Sequence, residues 1–214
     1  MDGEPERLGE IMPRAMDTLQ RPGPALEDSA LLSKLLTEEG RHEPDIPAAY
    51  ARWGLRDYGE PLVRELVPWY AGRVWSVCLM GPTGSRKSSL AAAMLAGWRA
   101  LYPRSWHGGR AQFVPADLLM AKLRDMENAP GWFAVWKESP VLVLDDLGAA
   151  RNTPYMVEQA VSLVCARWER KLPTIVTTNI TLDEIAQSLD ARVASRLQDG
   201  ILLDMGTRDW RGGA

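Results

Sequence analysis

Residues 74–102 read VWSVCLMGPTGSRKSSLAAAMLAGWRALY, three compositions in succession. VWSVCLM is a β-branched and apolar run that stops at Gly81, as a buried strand does. SSLAAAMLAGWRALY carries alanine and leucine at helical spacing. The turn between them, GPTGSRKSS, fits the phosphate-binding pattern G-x-x-x-x-G-K-[ST] at Gly81, Lys87 and Ser88. The spacing suits the chemistry: backbone N–H groups and a helix N-terminus face the phosphates, a lysine adds a point charge, and a hydroxyl completes a Mg²⁺ shell. The candidate nucleotide contacts are therefore Gly81, Pro82, Thr83, Gly84, Ser85, Arg86, Lys87, Ser88 and Ser89, with ATP and Mg²⁺ as the expected cofactors. Arg86 departs from the pattern, which places glycine before the lysine because the backbone there takes a geometry glycine adopts cheaply. Either Arg86 points outward and the loop still cradles phosphate, or nucleotide binding is weakened or lost.

Further strand and helix signals follow in alternation. Residues 110–114 (RAQFV) read as a strand and the PADLLMAKLRDM after them as a helix, with proline in its first turn. VLVLDD (141–146) is a continuous apolar strand tipped by two carboxylates, MVEQAVSLVCARWERK a helix, TIVTTN (174–179) a fourth strand, LDEIAQSLDARVASRL a helical stretch and ILLDM a fifth strand. Five strands separated by helices predict an α/β protein, a parallel sheet sandwiched between two helical layers. Ligands in such sheets sit at the carboxyl ends of the strands, where the loop and both carboxylates converge. Asp145 is the candidate metal ligand beside Ser88, and Asp146 the group that orients or deprotonates the attacking water. A carboxylate pair at a strand end also serves as a turn or helix cap, so the phosphate loop upstream gives it its catalytic reading. Asn179 at the next strand tip is a candidate sensor of the γ-phosphate or lytic water, with a simple turn as its alternative. Arg192 and Arg196 fall four apart on one helical face, either as a solvated stripe or, through Arg196 first, as a charge delivered to a neighbouring subunit's γ-phosphate. Such a finger implies a homo-oligomer, and Arg211 in the terminal DWR is a further candidate phosphate contact.

The remaining sequence sets limits. In 214 residues, 46% are hydrophobic and 25% charged, with a formal charge of −3, which excludes a disulfide miniprotein and a globally basic nucleic-acid binder. There is no apolar run long enough for a membrane span, no signal-peptide pattern and no metal spacing around Cys78 and Cys165, so a reducing, cytoplasmic setting is expected. Residues 1–24 are rich in Gly, Pro and charge. LEDSALLSKLLTEEG then predicts one short amphipathic helix with Leu31, Leu32, Leu35 and Leu36 on its apolar side. The expected division is an extension at 1–44, serving a partner, and an ATPase core at 45–214. Trp98, Arg99, Tyr102, Arg104, Trp106, His107 and Arg110 interleave aromatic and basic groups, as a single-strand groove does; tryptophans anchored in a core beneath a solvated loop are the alternative.

In this order, DIPAAY, GPTGSRKSSLAAAM, FVPADLLMAKLR, VLVLDDLG, TIVTTNITLDEI, ARVASRL and GTRDWR resemble the AAA+ ATPases of the DnaC type, with the similar IstB transposition helpers beside them. The resemblance covers roughly residues 46–211. It implies the P-loop NTPase (AAA+, ASCE) form of the three-layer fold without a full C-terminal lid, and an ATP-hydrolysing replication protein that loads or remodels a replicative helicase on single-stranded DNA. It also implies that the helicase is engaged through the N-terminal extension and that Ile46, Pro47 and Tyr50 border the adenine. A transposition helper, or an adaptor that binds nucleotide with little turnover because of Arg86, are the other readings. A small-molecule P-loop kinase would need an acceptor pocket and basic lid that no stretch supplies.

Overall fold

The structure, a computed structural model, describes residues 27–40, 45–102, 111–124, 129–148 and 154–206. Five parallel strands form one sheet: β1 (Ser76–Met80), β2 (Gln112–Pro115), β3 (Leu142–Asp145), β4 (Thr174–Thr178) and β5 (Ile201–Asp204), in the order β2-β3-β4-β1-β5. The first strand in sequence thus lies between the last two, which opens a crevice at the carboxyl edge beside β1. Register fixes its walls: Met80 pairs with Thr178 on one side and with Asp204 on the other, so the segments after β1, β4 and β5 leave the sheet together.

Strand alternation divides the core in two. Val77, Leu79, Phe113, Val143 and Ile175 face one layer, made by α1 (Asp28–Leu36), α2 (Ala48–Ala51), a 3₁₀ turn (Leu55–Tyr58), α3 (Glu60–Tyr70) and α4 (Lys87–Leu101). Cys78, Val114, Leu142, Leu144 and Val176 face the other, made by α5 (Ala116–Arg124), α6 (Ala129–Glu138), α7 (Pro154–Glu169), α8 (Leu182–Ser188) and α9 (Ala191–Gln198). The expected three-layer α/β sandwich with a five-stranded parallel sheet is what the chain forms. Cys78 stays a free thiol inside the sheet, its pKa pushed up to about 12 by burial.

Several elements differ from expectation. Residues 60–70, which carry Pro61 and Pro68 and to which the sequence pattern assigns no element, are helical. Pro61 falls in the first turn, where its missing N–H costs nothing, while Pro68, near the end, removes one donor, that to the Arg64 carbonyl, and the helix stops two residues later. The helix α6 was not foreseen. The stretch LDEIAQSLDARVASRL is two helices, because the Asp190 carboxylate accepts from the Arg192 N–H and starts α9 afresh. The helix expected after residue 25 forms as α1, with Leu31, Leu32 and Leu35 buried in the same core as α3 and α4, although neither Asp28 nor Ser29 caps it: Glu27 occupies that position without a side-chain bond. Arg167, wholly buried, donates to the carbonyls of Trp136, Ser139 and Pro173 and to Thr174 Oγ1, joining α6, α7 and β4.

Candidate nucleotide site

The turn between β1 and α4 is built on positive φ values: 141° at Gly81, 87° at Gly84 and 65° at Arg86. Gly81 is also confined, since a Cβ there would meet the Gly206 nitrogen at 2.8 Å. Arg86 is the N-cap of α4 and offers no side-chain cap, so the first N–H groups of the helix face the turn. A left-handed arginine costs about 1–2 kcal/mol relative to glycine. Its guanidinium carbon lies 4.2 Å from the centroid of the Trp53 ring, so the side chain is laid onto the linker, residues 45–58. Lys87 Nζ donates to the carbonyls of Gly81 at 2.7 Å and Pro82 at 2.8 Å, spanning the cradle. Burial lowers the Lys87 pKa, and the charges of Asp146 and Asp145 pull against that.

Asp145, 5% exposed at the end of β3, receives the Thr177 hydroxyl at 2.7 Å and lies beside the Ser88 hydroxyl. Burial raises its carboxyl pKa, opposed by those two hydroxyls. The hydroxyl of Ser88 and the carboxylate of Asp145 therefore meet, the pair from which a Mg²⁺ site would be made. The donor set fits: Mg²⁺ takes one or two protein oxygens and completes its octahedron with water and phosphate, and no group of three or more His, Cys, Asp or Glu gathers among the described residues. Asp146 is exposed at φ 64°, its N–H donating to Thr177 Oγ1 at 2.8 Å. Leu147 N–H donates to the Thr177 carbonyl, and Thr178 Oγ1 to the Leu147 carbonyl at 2.7 Å. The acidic turn is thus laced to β4, and Asn179, the next residue, is exposed beside the phosphate turn by virtue of the β1–β4 register.

Ser89, in the first turn of α4, is buried beside the Tyr58 side chain. Ile46 is in the core and Tyr50 packs against Phe113 with ring centroids 6.0 Å apart, while neighbouring Asp45 pairs with Arg99 near the far end of α4. That position is about 18 Å along the axis from Lys87. The linker residues that reach the phosphate turn are Trp53 and Tyr58, which the sequence reading overlooked; a tryptophan five residues before a tyrosine gave no periodic signal. Arg192 is exposed and bound to Asp190, whereas Arg196 is half-buried with its guanidinium 4.1 Å above the Trp168 ring and its backbone carbonyl accepting from Ser76 Oγ. Ser76 starts β1, so Arg196 lies about 16 Å, one strand length, from its own phosphate turn. A cavity of about 260 Å³ near it is lined by Arg73, Trp75, Trp168 and Lys171 among others. Of the suggested DNA-facing residues, Trp98 and Arg99 are buried and the Tyr102 hydroxyl donates to the Tyr70 carbonyl, so these three serve as core anchors, the alternative reading. Arg104, Trp106, His107, Arg110 and Arg211 lie outside the described residues.

A phosphate cradle at the carboxyl end of β1, an acidic tip on β3 and a polar tip on the intervening β4 define a P-loop NTPase fold of the AAA+ type. The chain is similar to the DnaC helicase loader, with 25% identity and a TM-score of 0.58 over 69% of this chain and 89% of that one. It is also similar to a replication initiator DnaA bound to AMPPCP and single-stranded DNA, with 17% identity and a TM-score of 0.57 over 74% of this chain and 50% of that one, a likeness of fold alone. Among curated proteins it matches the uncharacterized protein YqaM of Bacillus subtilis (strain 168) at 27% identity over 142 residues, 62% of this chain and 44% of the relative, so it spans less than half of that protein's length. No family model matches the sequence. The resemblance to DnaC-like AAA+ proteins read from the motifs holds in three dimensions.

Proposed function

We propose that this chain binds ATP with Mg²⁺, hydrolyses it, and uses the nucleotide state to load or remodel a replicative helicase on single-stranded DNA. The likeness to a helicase loader supports a DNA-replication AAA+ protein. The observation that carries the ATPase reading is a glycine turn whose Gly81 and Pro82 carbonyls hold the Lys87 ammonium, next to the buried Asp145 carboxylate at the tip of β3.

The steps divide among the chain's own groups. The first N–H groups of α4 and the Lys87 ammonium hold the phosphates. Ser88 and Asp145 hold the Mg²⁺, which when bound neutralises charge on the phosphate oxygens. Asp146 projects from the turn to accept a proton from the attacking water or to orient it, and Asn179 offers an amide to the γ-phosphate side. Arg196 serves a neighbouring copy, because it lies too far from the cradle of its own chain. Residues 1–44 engage the helicase.

ATP hydrolysis measured with and without single-stranded DNA, at stated salt, tests this reading. Lys87→Ala should lose nucleotide binding by at least about 10-fold, the loss expected when a charged hydrogen-bonding group is removed. Asp146→Asn should bind ATP normally and hydrolyse it about 100-fold more slowly, the scale of general-base catalysis. Equal turnover by the wild type and both variants would refute the site.

A further inference from the structure

Residues 45–58 run along α4 and are tied to it at three places of different character. At the far end, the Arg99 guanidinium, 4% exposed, pairs with Asp45 Oδ2 at 2.5 Å and also donates to the Ala111 carbonyl at 2.6 Å. Close to the phosphate turn, the buried Tyr58 side chain lies beside the buried Ser89 in the first turn of α4. The third tie is different. Arg86 belongs to the phosphate turn itself, and both it and Trp53 are half-buried, within reach of water and ligand. Arg52 also approaches the same indole, its guanidinium carbon 5.1 Å from the centroid.

We propose that Arg86 and Trp53 form a clasp that fastens the linker at 45–58 to the phosphate turn, so that Arg86 is a positioning residue for nucleotide binding and not an obstruction to it. The left-handed backbone at Arg86 aims the side chain onto the indole. A glycine would take the same backbone without strain and would leave the Trp53 ring without the guanidinium of the phosphate turn. The strain therefore persists because the stack holds it, as strained residues persist where their surroundings over-determine them. With the linker fastened, the nucleotide meets a formed wall and less order has to be imposed on binding.

The proposal deepens the ATP reading and rests on the turn being a phosphate site, so its test has one arm free of nucleotide. The full-length chain, Arg86→Gly, Trp53→Leu and the double variant are compared by amide hydrogen exchange over 45–58 without ligand. Each single change should speed exchange about 2- to 5-fold, the range of one exposed cation–π contact, and the double variant should add little to either. In the second arm, both single variants should bind ATP 2- to 5-fold more weakly than the wild type. Unchanged exchange in the single variants, or additive effects in the double, would overturn the clasp. ATP bound as well or better by Arg86→Gly would overturn its positioning role. A wild-type chain that bound no ATP would refute the nucleotide reading and with it that role, while the exchange arm alone would still decide for or against the clasp.

Discussion

Asp146 holds φ 64°, a conformation that costs a residue with a Cβ about 1–2 kcal/mol, and what keeps it there is the hydroxyl of Thr177. That hydroxyl, wholly buried, accepts from the Asp146 N–H and donates to Asp145 Oδ1, so one side chain orients both carboxylates of the turn. Thr177→Val keeps the shape and removes both bonds. It should destabilise the chain by about 1–3 kcal/mol, the cost of stranding a buried acceptor, and should raise the Mg²⁺ concentration needed for half-maximal ATP hydrolysis. Thr177→Ser should restore both, measured by urea unfolding and a Mg²⁺ titration. If the valine variant lost stability but kept its Mg²⁺ response, Thr177 would serve folding alone. From sequence, TTN yielded only its asparagine. The importance of the threonine depends on the register between β3 and β4, which no local pattern encodes. The path of the Arg86 side chain was hidden for a related reason, because its partner Trp53 belongs to a segment with no regular spacing.

Motifs tied to a strand end were legible: the cradle, the acidic pair and the polar tip of β4 all lie at one edge, because parallel strands bring their carboxyl ends together. Helices were legible where leucines recur at helical spacing and missed where prolines intervene, as in α3. The two arginines of α9 show how far periodicity goes. Four-residue spacing puts them on one helix, yet Arg192 is exposed and Arg196 is laid over Trp168, with Arg196 Nε buried and lacking a hydrogen-bond partner among the described residues. If Arg196 acts on a neighbouring copy, Arg196→Ala should keep its ATP affinity and lose at least about 100-fold in turnover, a conservative share of what an arginine finger supplies. Mixing that variant with Lys87→Ala should restore turnover, since one copy then lends the arginine and the other the cradle. Mixtures as inactive as their components would assign Arg196 to packing on Trp168.

Across the whole molecule, the sheet and its two cores set what can move. Helix α1 is joined to α3 and α4 through Leu31, Leu32 and Leu35, and at its surface through the ion pair of Arg73 with Asp28 at 2.8 Å. Since both partners of that pair are more than half exposed, the leucines carry the attachment. Leu35→Ala should lower stability by about 2–5 kcal/mol in urea unfolding, whereas Asp28→Ala should change it by less than about 1 kcal/mol. A loss below 1 kcal/mol for Leu35→Ala would mean that α1 docks loosely.

Gly206 closes the described chain at the wall of the cradle. Its nitrogen is what a Cβ on Gly81 would strike, a Cβ of its own would come within 2.9 Å of the Pro82 ring, and the Met205 N–H is bonded to the Met80 carbonyl. The end of β5 and the start of the phosphate turn are therefore wedged together, and a methyl group added at either glycine would have to prise them apart.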